Sequence, residues 1–146
     1  MKFTIEKRNL FTVPKDYFLC HCISADFALG AGIAKKFAEM GVKDALKKQF
    51  SSLYKWGDVG ECLCTCATDW QAEFNLITKE RYFYKPTNKT LHQALCSMRD
   101  YCPLDAKIAM PKIGCGLDRL KWNDVEQIIK DVFADTDIEI LVCDWK

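Results

Sequence analysis

Lys79 ends the apolar run Leu76-Ile77-Thr78, and Asp118 follows a loop in which Gly114 and Gly116 flank Cys115. A lysine that is partly desolvated, or held near another cation such as Arg81, sheds its proton more easily and becomes a nucleophile at carbon. A carboxylate at the rim of a glycine loop can move the protons such an attack requires. Spacing alone favours quieter roles: a solvated lysine at a strand end, and an aspartate that caps a helix or joins a surface ion pair. Cys115 is a third candidate nucleophile, but the sequence offers no evident base for it. The nearest histidine, His21, falls by alternation on the strand face opposite Cys20 and Cys22, which suits a structural histidine.

Two glycine loops surround these residues. In Lys107 to Trp122 a short apolar strand runs into Ile113-Gly114-Cys115-Gly116-Leu117 and then a helix start. Two positions without side chains let backbone amides approach an anion. The second loop, Leu29-Gly30-Ala31-Gly32-Ile33-Ala34, lies between an apolar strand and a helix, so the helix N-terminus can offer unpaired N–H groups to a pyrophosphate. A Gly-x-Gly turn can equally be a tight connection, and the third glycine of a dinucleotide fingerprint is missing. Two such loops at adjacent strand ends form one crevice suited to a phosphorylated ligand.

The elements that must position these loops alternate along the chain. Strands are expected at Lys2–Lys7, Tyr17–Ile23, Glu61–Ala67, Glu73–Thr78, Lys107–Met110 and Ile138–Cys143. The third and fourth should form an antiparallel hairpin through the Thr68-Asp69 turn region. Helices are expected over Gly32–Phe50 with a break near Gly41, from Thr87 to before Pro103 with Leu91, Ala94, Leu95 and Met98 inward, and from an Asn123 cap onward. The last helix carries the stripe Val125, Ile128, Ile129, Val132 and Phe133. Interleaved strands and helices imply a mixed sheet between helical layers, in one domain spanning 1–146.

Composition removes several classes of function. The net charge is +1, so no global field draws the chain to nucleic acid or anionic membrane. Lys35, Lys36, Lys43, Lys47 and Lys48 make the first helix basic, which suits a solvated amphipathic face or a nucleic-acid acceptor. No apolar run has the length of a signal peptide or membrane span, which gives the expectation of a cytoplasmic protein without membrane contact. Nine cysteines is an odd number in a chain large enough to fold without crosslinks, so reduced thiols are expected. Cys62, Cys64 and Cys66 share one strand face and read as core thiols. With only two histidines and no Cys-x-x-Cys pairs, no metal site is expected.

His21-Cys22-Ile23-Ser24-Ala25-Asp26, Leu29 to Ala34, Leu76 to Lys79 and Met110 to Leu120 together resemble macrodomains, ADP-ribose-binding modules. More narrowly they are similar to the lysine-dependent branch typified by the terminal ADP-ribose protein glycohydrolase. The resemblance runs in order over nearly the whole chain. It implies a three-layer α/β/α domain with a central mixed sheet and a crevice for ADP-ribose. The ligand-binding set it implies comprises Asn9, Leu10, His21, Ser24, Gly30, Ala31, Gly32, Ile33, Thr78, Ile113, Gly114, Cys115, Gly116 and Leu117. In that branch a lysine at the place of Lys79 attacks the distal ribose, and an aspartate at the place of Asp118 assists turnover. Many macrodomains carry an aspartate where Asn9 stands, so adenine would be recognised here by a neutral hydrogen bond. Another branch relies on an asparagine in the first loop and a longer glycine run, and neither occurs in His21 to Ala34. The resemblance implies an ADP-ribosyl hydrolase needing no cofactor, acting as a monomer on ADP-ribosylated protein, acetyl-ADP-ribose or ADP-ribosylated DNA. The alternative is a reader that binds ADP-ribose without turnover. Trp145 lies where an aromatic could stand beside adenine.

Overall fold

The computed structural model describes residues 1–50, 57–68 and 70–145. Its strands are β1 (Lys2–Glu6), β2 (Phe18–Ser24), β3 (Cys62–Thr68), β4 (Gln71–Lys79), β5 (Lys107–Met110) and β6 (Glu139–Cys143). Its helices are α1 (Gly32–Glu39), α2 (Val42–Phe50), α3 (Asn88–Tyr101) and α4 (Trp122–Phe133). The strands form one sheet in the order β1-β6-β5-β2-β4-β3. All neighbours are parallel except β3, which pairs antiparallel with β4 as the edge of the sheet.

Alternation along the strands splits the core into two layers. Cys20, Phe74, Leu76, Ile108, Met110, Ile140 and Val142 pack with α3 and α4, whose inward stripes are Leu91, Ala94, Leu95, Met98 and Val125, Ile129, Val132, Phe133. Leu19, Ile23, Leu63, Ile77, Ala109 and Leu141 pack with Phe37, Val42 and Leu46 of α1 and α2. The expected three layers and mixed sheet are therefore present. Gly41, at φ +101°, makes the expected break between α1 and α2, a conformation a side chain would strain. Thr87 caps α3 in a reciprocal box with Thr90.

Two expectations need correction. Helix α4 begins at Trp122, after Lys121, which gives no side-chain cap, so Asn123 lies inside the first turn. Leu120 N–H donates to Gly114 O at 2.7 Å, and this closed loop delivers the chain into helix two residues earlier than the cap signal suggests. Cys64 and Cys66 are exposed, whereas Cys62 is buried. Period-two spacing identified their common face correctly, but on an edge strand that face runs beyond the covering helix. The Thr68-Asp69 turn lies partly outside the described residues, since Asp69 is not among them.

The topology locates the crevice. The chain leaves β2 for α1 on one face of the sheet and leaves β5 for α4 on the other, and β2 and β5 are neighbours. Loops at that switch point diverge and leave a cleft at the carboxyl ends of the strands. Both glycine loops are found there.

Candidate active site

Lys79 ends β4, next to β2, and Asp118 lies in the loop beyond β5, on the other side of β2. The β5–α4 loop therefore reaches across the end of β2, and Lys79 Nζ meets Asp118 Oδ1 at 2.6 Å. Their side chains are 14% and 16% exposed, so the ion pair is largely withdrawn from water yet open on one side. Arg81, expected as a possible neighbour of the lysine, is exposed, and the charge bonded to Lys79 is the Asp118 carboxylate. Such a contact orients the amine and places a proton acceptor on it.

The glycine loops are shaped by their own geometry. Gly32 has φ +59°, and a Cβ there would come within 3.3 Å of Leu117 Cδ1, so the two loops touch through Leu117. Ala31 is extended and supplies no side-chain cap to α1, so the N–H groups of its first turn are not satisfied by a capping side chain. Gly114 has φ +71°, and a Cβ there would lie 2.9 Å from Leu120 Cδ1. Gly116 differs: nothing lies within 4 Å of its added Cβ, so its lack of a side chain leaves open space beside Asp118. Gly30, Ala31, Gly32, Gly116 and Leu117 are exposed at the mouth, with Ile33, Gly114 and Cys115 half-buried and Ile113 buried below.

At the far end lies a cavity of about 270 Å³ lined by Asn9, Leu10, Phe11, Ile33, Lys36, Pro111, Cys143 and Trp145. It is mostly apolar and of a size for one ring system, near the lower end of small-molecule sites. Asn9 begins a 3-10 turn over Leu10–Thr12, and its Oδ1 accepts from Phe11 N–H at 3.0 Å, which uses one of that oxygen's two lone pairs. Trp145 reaches the cavity because Asp144 is tied on both sides: its N–H donates to Glu6 O at 2.8 Å, and its carboxylate meets Lys112 Nζ at 3.4 Å. Ile33 continues from the first glycine loop and Pro111 leads into the second, so the loops connect this cavity to the ion pair.

Besides Ile113, three further expected site residues, His21, Thr78 and Ser24, are buried beneath the surface of the crevice. His21 is fully buried, stacked on Phe37 with ring centroids 3.8 Å apart, and its Nε2 lies 2.6 Å from Asn75 Oδ1. Asn75 Nδ2 donates to Leu63 O and Thr65 Oγ1, so its oxygen must accept from His21, which fixes the proton on Nε2. Burial lowers the His21 pKa to about 4, against a smaller opposing effect of the Asn75 hydrogen bond. Thr78 is buried below Lys79. Ser24 is buried and donates to Asp26 Oδ1.

Cys115 is half-buried, and desolvation raises its thiol pKa, with Lys112 only partly offsetting this. That environment opposes a thiolate nucleophile. Cys22 lies close enough to the pair for Asp118, after burial, to push its thiol further up.

The sequence reading assigned no role to Asp26. Its Oδ1 accepts from Ala28 N–H at 3.2 Å and its Oδ2 from Tyr82 N–H at 3.0 Å. It thus bolts the first glycine loop to the segment after Lys79. The Asp-x-Ala turn spacing was a local signal for half of this arrangement; the Tyr82 contact, 56 residues away, had none.

Comparison with known proteins decides the family. No family model matches the sequence. The chain is 41% identical over 147 residues to the ADP-ribose glycohydrolase OARD1 of Homo sapiens, covering 97% of this chain and 90% of that protein. The chain is a macrodomain of the OARD1 family. Macrodomain structures agree in fold: the macrodomain of Mycobacterium tuberculosis DarG superposes with a TM-score of 0.77 at 19% identity, covering 97% of each chain. Thermosipho africanus DarTG, solved in complex with ADP-ribose, matches with a TM-score of 0.73 at 16% identity, over 99% of this chain and 42% of that one. Within this macrodomain the cavity, the paired glycine loops and the Lys79–Asp118 contact form one continuous crevice.

Proposed function

We propose that this macrodomain is an ADP-ribosyl hydrolase in which Lys79 is the nucleophile and Asp118 the proton carrier. Its relation to an ADP-ribose glycohydrolase over nearly its whole length supports the reaction class. The observation that carries the residue assignment is the 2.6 Å contact between a lysine and an aspartate 39 positions apart, at the end of a crevice with two glycine loops. A module that only held ADP-ribose would gain nothing from a largely desolvated pair at this place.

In the proposed cycle the adenine occupies the cavity beside Asn9 and Trp145, and the pyrophosphate lies along the amides of the two glycine loops. This sets the distal ribose against Lys79. Lys79 gives up a proton, to Asp118 or directly to water, and the freed amine attacks the anomeric carbon. A C–N bond forms as the bond from that carbon to the acceptor oxygen or nitrogen breaks, and the acceptor leaves with a proton. Water then replaces the lysine at the same carbon while Asp118 takes the proton of the water and returns one to the amine. One difficult displacement becomes two easier ones, and no metal takes part in this scheme.

Incubation with acetyl-ADP-ribose and with an ADP-ribosylated peptide, reading free ADP-ribose by mass spectrometry, tests the assignment. Wild type should release ADP-ribose, and Lys79→Ala should bind ADP-ribose but release none. Binding without turnover by the wild type on every substrate offered would make the protein a reader.

A further inference from the structure

The two edges of the sheet are unpaired among the described residues, and they are not alike. At one edge β3 shifts register against β4 between Thr65 and Thr68, an irregularity that blunts an edge. At the other, β1 runs in unbroken register with β6, from Lys2 opposite Glu139 to Glu6 opposite Cys143. Ile5 on this strand is 43% exposed, an apolar side chain on a regular edge. Such an edge is a template for a further strand.

The ladder with β6 determines which backbone groups of β1 are free. Lys2 N–H donates to Ile138 O at 3.1 Å, and Glu6 O accepts from Asp144 N–H at 2.8 Å. Alternate residues of a strand turn their N–H and C=O to the same side, so Lys2, Thr4 and Glu6 turn theirs to β6. Phe3 and Ile5 therefore direct theirs away from the sheet. Side chains alternate as well. Lys2, Thr4 and Glu6 line a groove with Tyr17, Glu139 and Leu141 on one face of the sheet. Phe3 packs on the core of the opposite face, with Lys130 Nζ 5.0 Å from its ring centroid.

We propose that β1 is a self-association edge: two copies of this chain pair their β1 strands antiparallel about Thr4, joining two sheets across a two-fold axis. This departs from the monomer that the family resemblance implied, and it does not rest on the hydrolase reading. The strand Lys2-Phe3-Thr4-Ile5-Glu6 is antisymmetric in charge about Thr4. With Thr4 on the axis, Lys2 stands opposite the partner's Glu6, and Phe3 stands opposite the partner's Ile5. The backbone admits this register, because the outward N–H and C=O groups belong to Phe3 and Ile5, and each such pair exchanges both its hydrogen bonds. Thr4 and the charged pairs then fall at the positions without hydrogen bonds, where side chains come closest. Charges on an edge ordinarily deter a second strand. Here each meets its opposite, whereas a parallel partner in register would set Lys2 on lysine and Glu6 on glutamate. Arg8, 3.3 Å from Glu6 Oε2, steadies that carboxylate and leaves it 47% exposed. Antiparallel pairing reverses the partner's strands, so the two crevices open in opposite directions.

Sedimentation velocity of the full chain, from the micromolar to the near-millimolar range, tests this. Wild type should show a concentration-dependent dimer of modest affinity, since a short edge buries little area. Lys2→Glu alone and Glu6→Lys alone each set like charges face to face and should weaken the dimer about tenfold or more. An equimolar mixture of these two variants should dimerise again, because every facing pair in the mixed dimer is of opposite sign. Ile5→Pro removes an N–H that β6 does not use and should abolish the dimer with Tm nearly unchanged. Should that variant lose Tm, the charge variants, which alter only exposed side chains, decide the matter. A wild type that stays monomeric throughout the range would overturn the proposal. So would a dimer unweakened by either single charge variant, which would place the interface elsewhere, or a mixture that fails to recover, which would exclude this register.

Discussion

The two ends of the crevice are built on opposite principles. At one end a cavity of about 270 Å³ offers mainly apolar walls and a single exposed indole, with Asn9 and Lys36 as its polar side chains. At the other, two opposite charges touch at 2.6 Å with little water access. Apolar area gives affinity without distinguishing ground state from transition state. A desolvated nucleophile–acid pair contributes little hold but acts on the reacting bond. Affinity and turnover should therefore be separable by mutation, with the glycine loops coupling the two ends.

The largest separation is expected at Lys79. Lys79→Ala should lower kcat by about three orders of magnitude, ~4 kcal/mol of barrier, while calorimetry finds the Kd for ADP-ribose almost unchanged. Lys79→Arg should be as inactive, because a guanidinium keeps its proton. A parallel rise in Kd would show that the lysine holds the ligand and would break the contrast between the ends.

At the loops the effect should move to affinity. Gly32→Glu places a strained backbone, a clash with Leu117 and a negative charge where the proposed cycle lays the pyrophosphate, and titration should detect no ADP-ribose binding. Gly114→Ala and Gly116→Ala sharpen this. The first meets Leu120 at 2.9 Å in a left-handed conformation and should lower Tm. The second has free space for its methyl group, so Tm should hold while ADP-ribose binding weakens.

The pH dependence of stability should come from beneath the crevice. His21 is held neutral, with a pKa near 4 against 6.5 when unfolded. The unfolded chain then binds a proton that the folded chain refuses between these values, so the contribution of His21 is full above pH 6.5 and falls away toward pH 4. The loss amounts to about 3 kcal/mol. Glu73, whose carboxyl is raised chiefly by desolvation, tilts the profile the other way, losing stability as pH rises from the ordinary carboxylate range. Urea midpoints at pH 7 and 4.5 should show a clear drop for wild type, and His21→Gln should remove it and leave the Glu73 slope.

The smallest effects belong to the cavity. Asn9→Ala should weaken ADP-ribose by about 0.5–1.5 kcal/mol. Asn9→Asp can still cap Phe11 and should tighten binding modestly through a charge-assisted hydrogen bond. Trp145→Ala should cost about 1 kcal/mol of affinity and leave kcat unchanged. A kcat change in any of these would connect ends that the geometry separates.

Much of the fold was legible because strands and helices impose different periods. Lys107–Met110 and the inward stripe of α3 were readable residue by residue, and Gly41 marked its break. Strand order was not legible, and the meeting of Lys79 with Asp118 depends on it, since the β5–α4 loop must cross the end of β2. From the residues alone each of the two looked like an ordinary surface charge; the family resemblance gave them chemistry. His21 shows the converse: a motif places it near the ligand, but alternation turns its ring into the α1 layer against Phe37. Cys64 and Cys66 were misread because a period reports which face a residue occupies and not whether anything covers it.

The central claim is that Lys79 forms a covalent bond to the distal ribose and Asp118 is needed to resolve it. Intact-mass analysis of Asp118→Ala after incubation with substrate tests this most directly. The variant should accumulate protein carrying one added ADP-ribose, located on Lys79 by peptide mapping, and the Lys79→Ala, Asp118→Ala double variant should carry none. Full hydrolase activity in Lys79→Ala, with any substrate the wild type accepts, would contradict the claim and leave Asp118 acting on water.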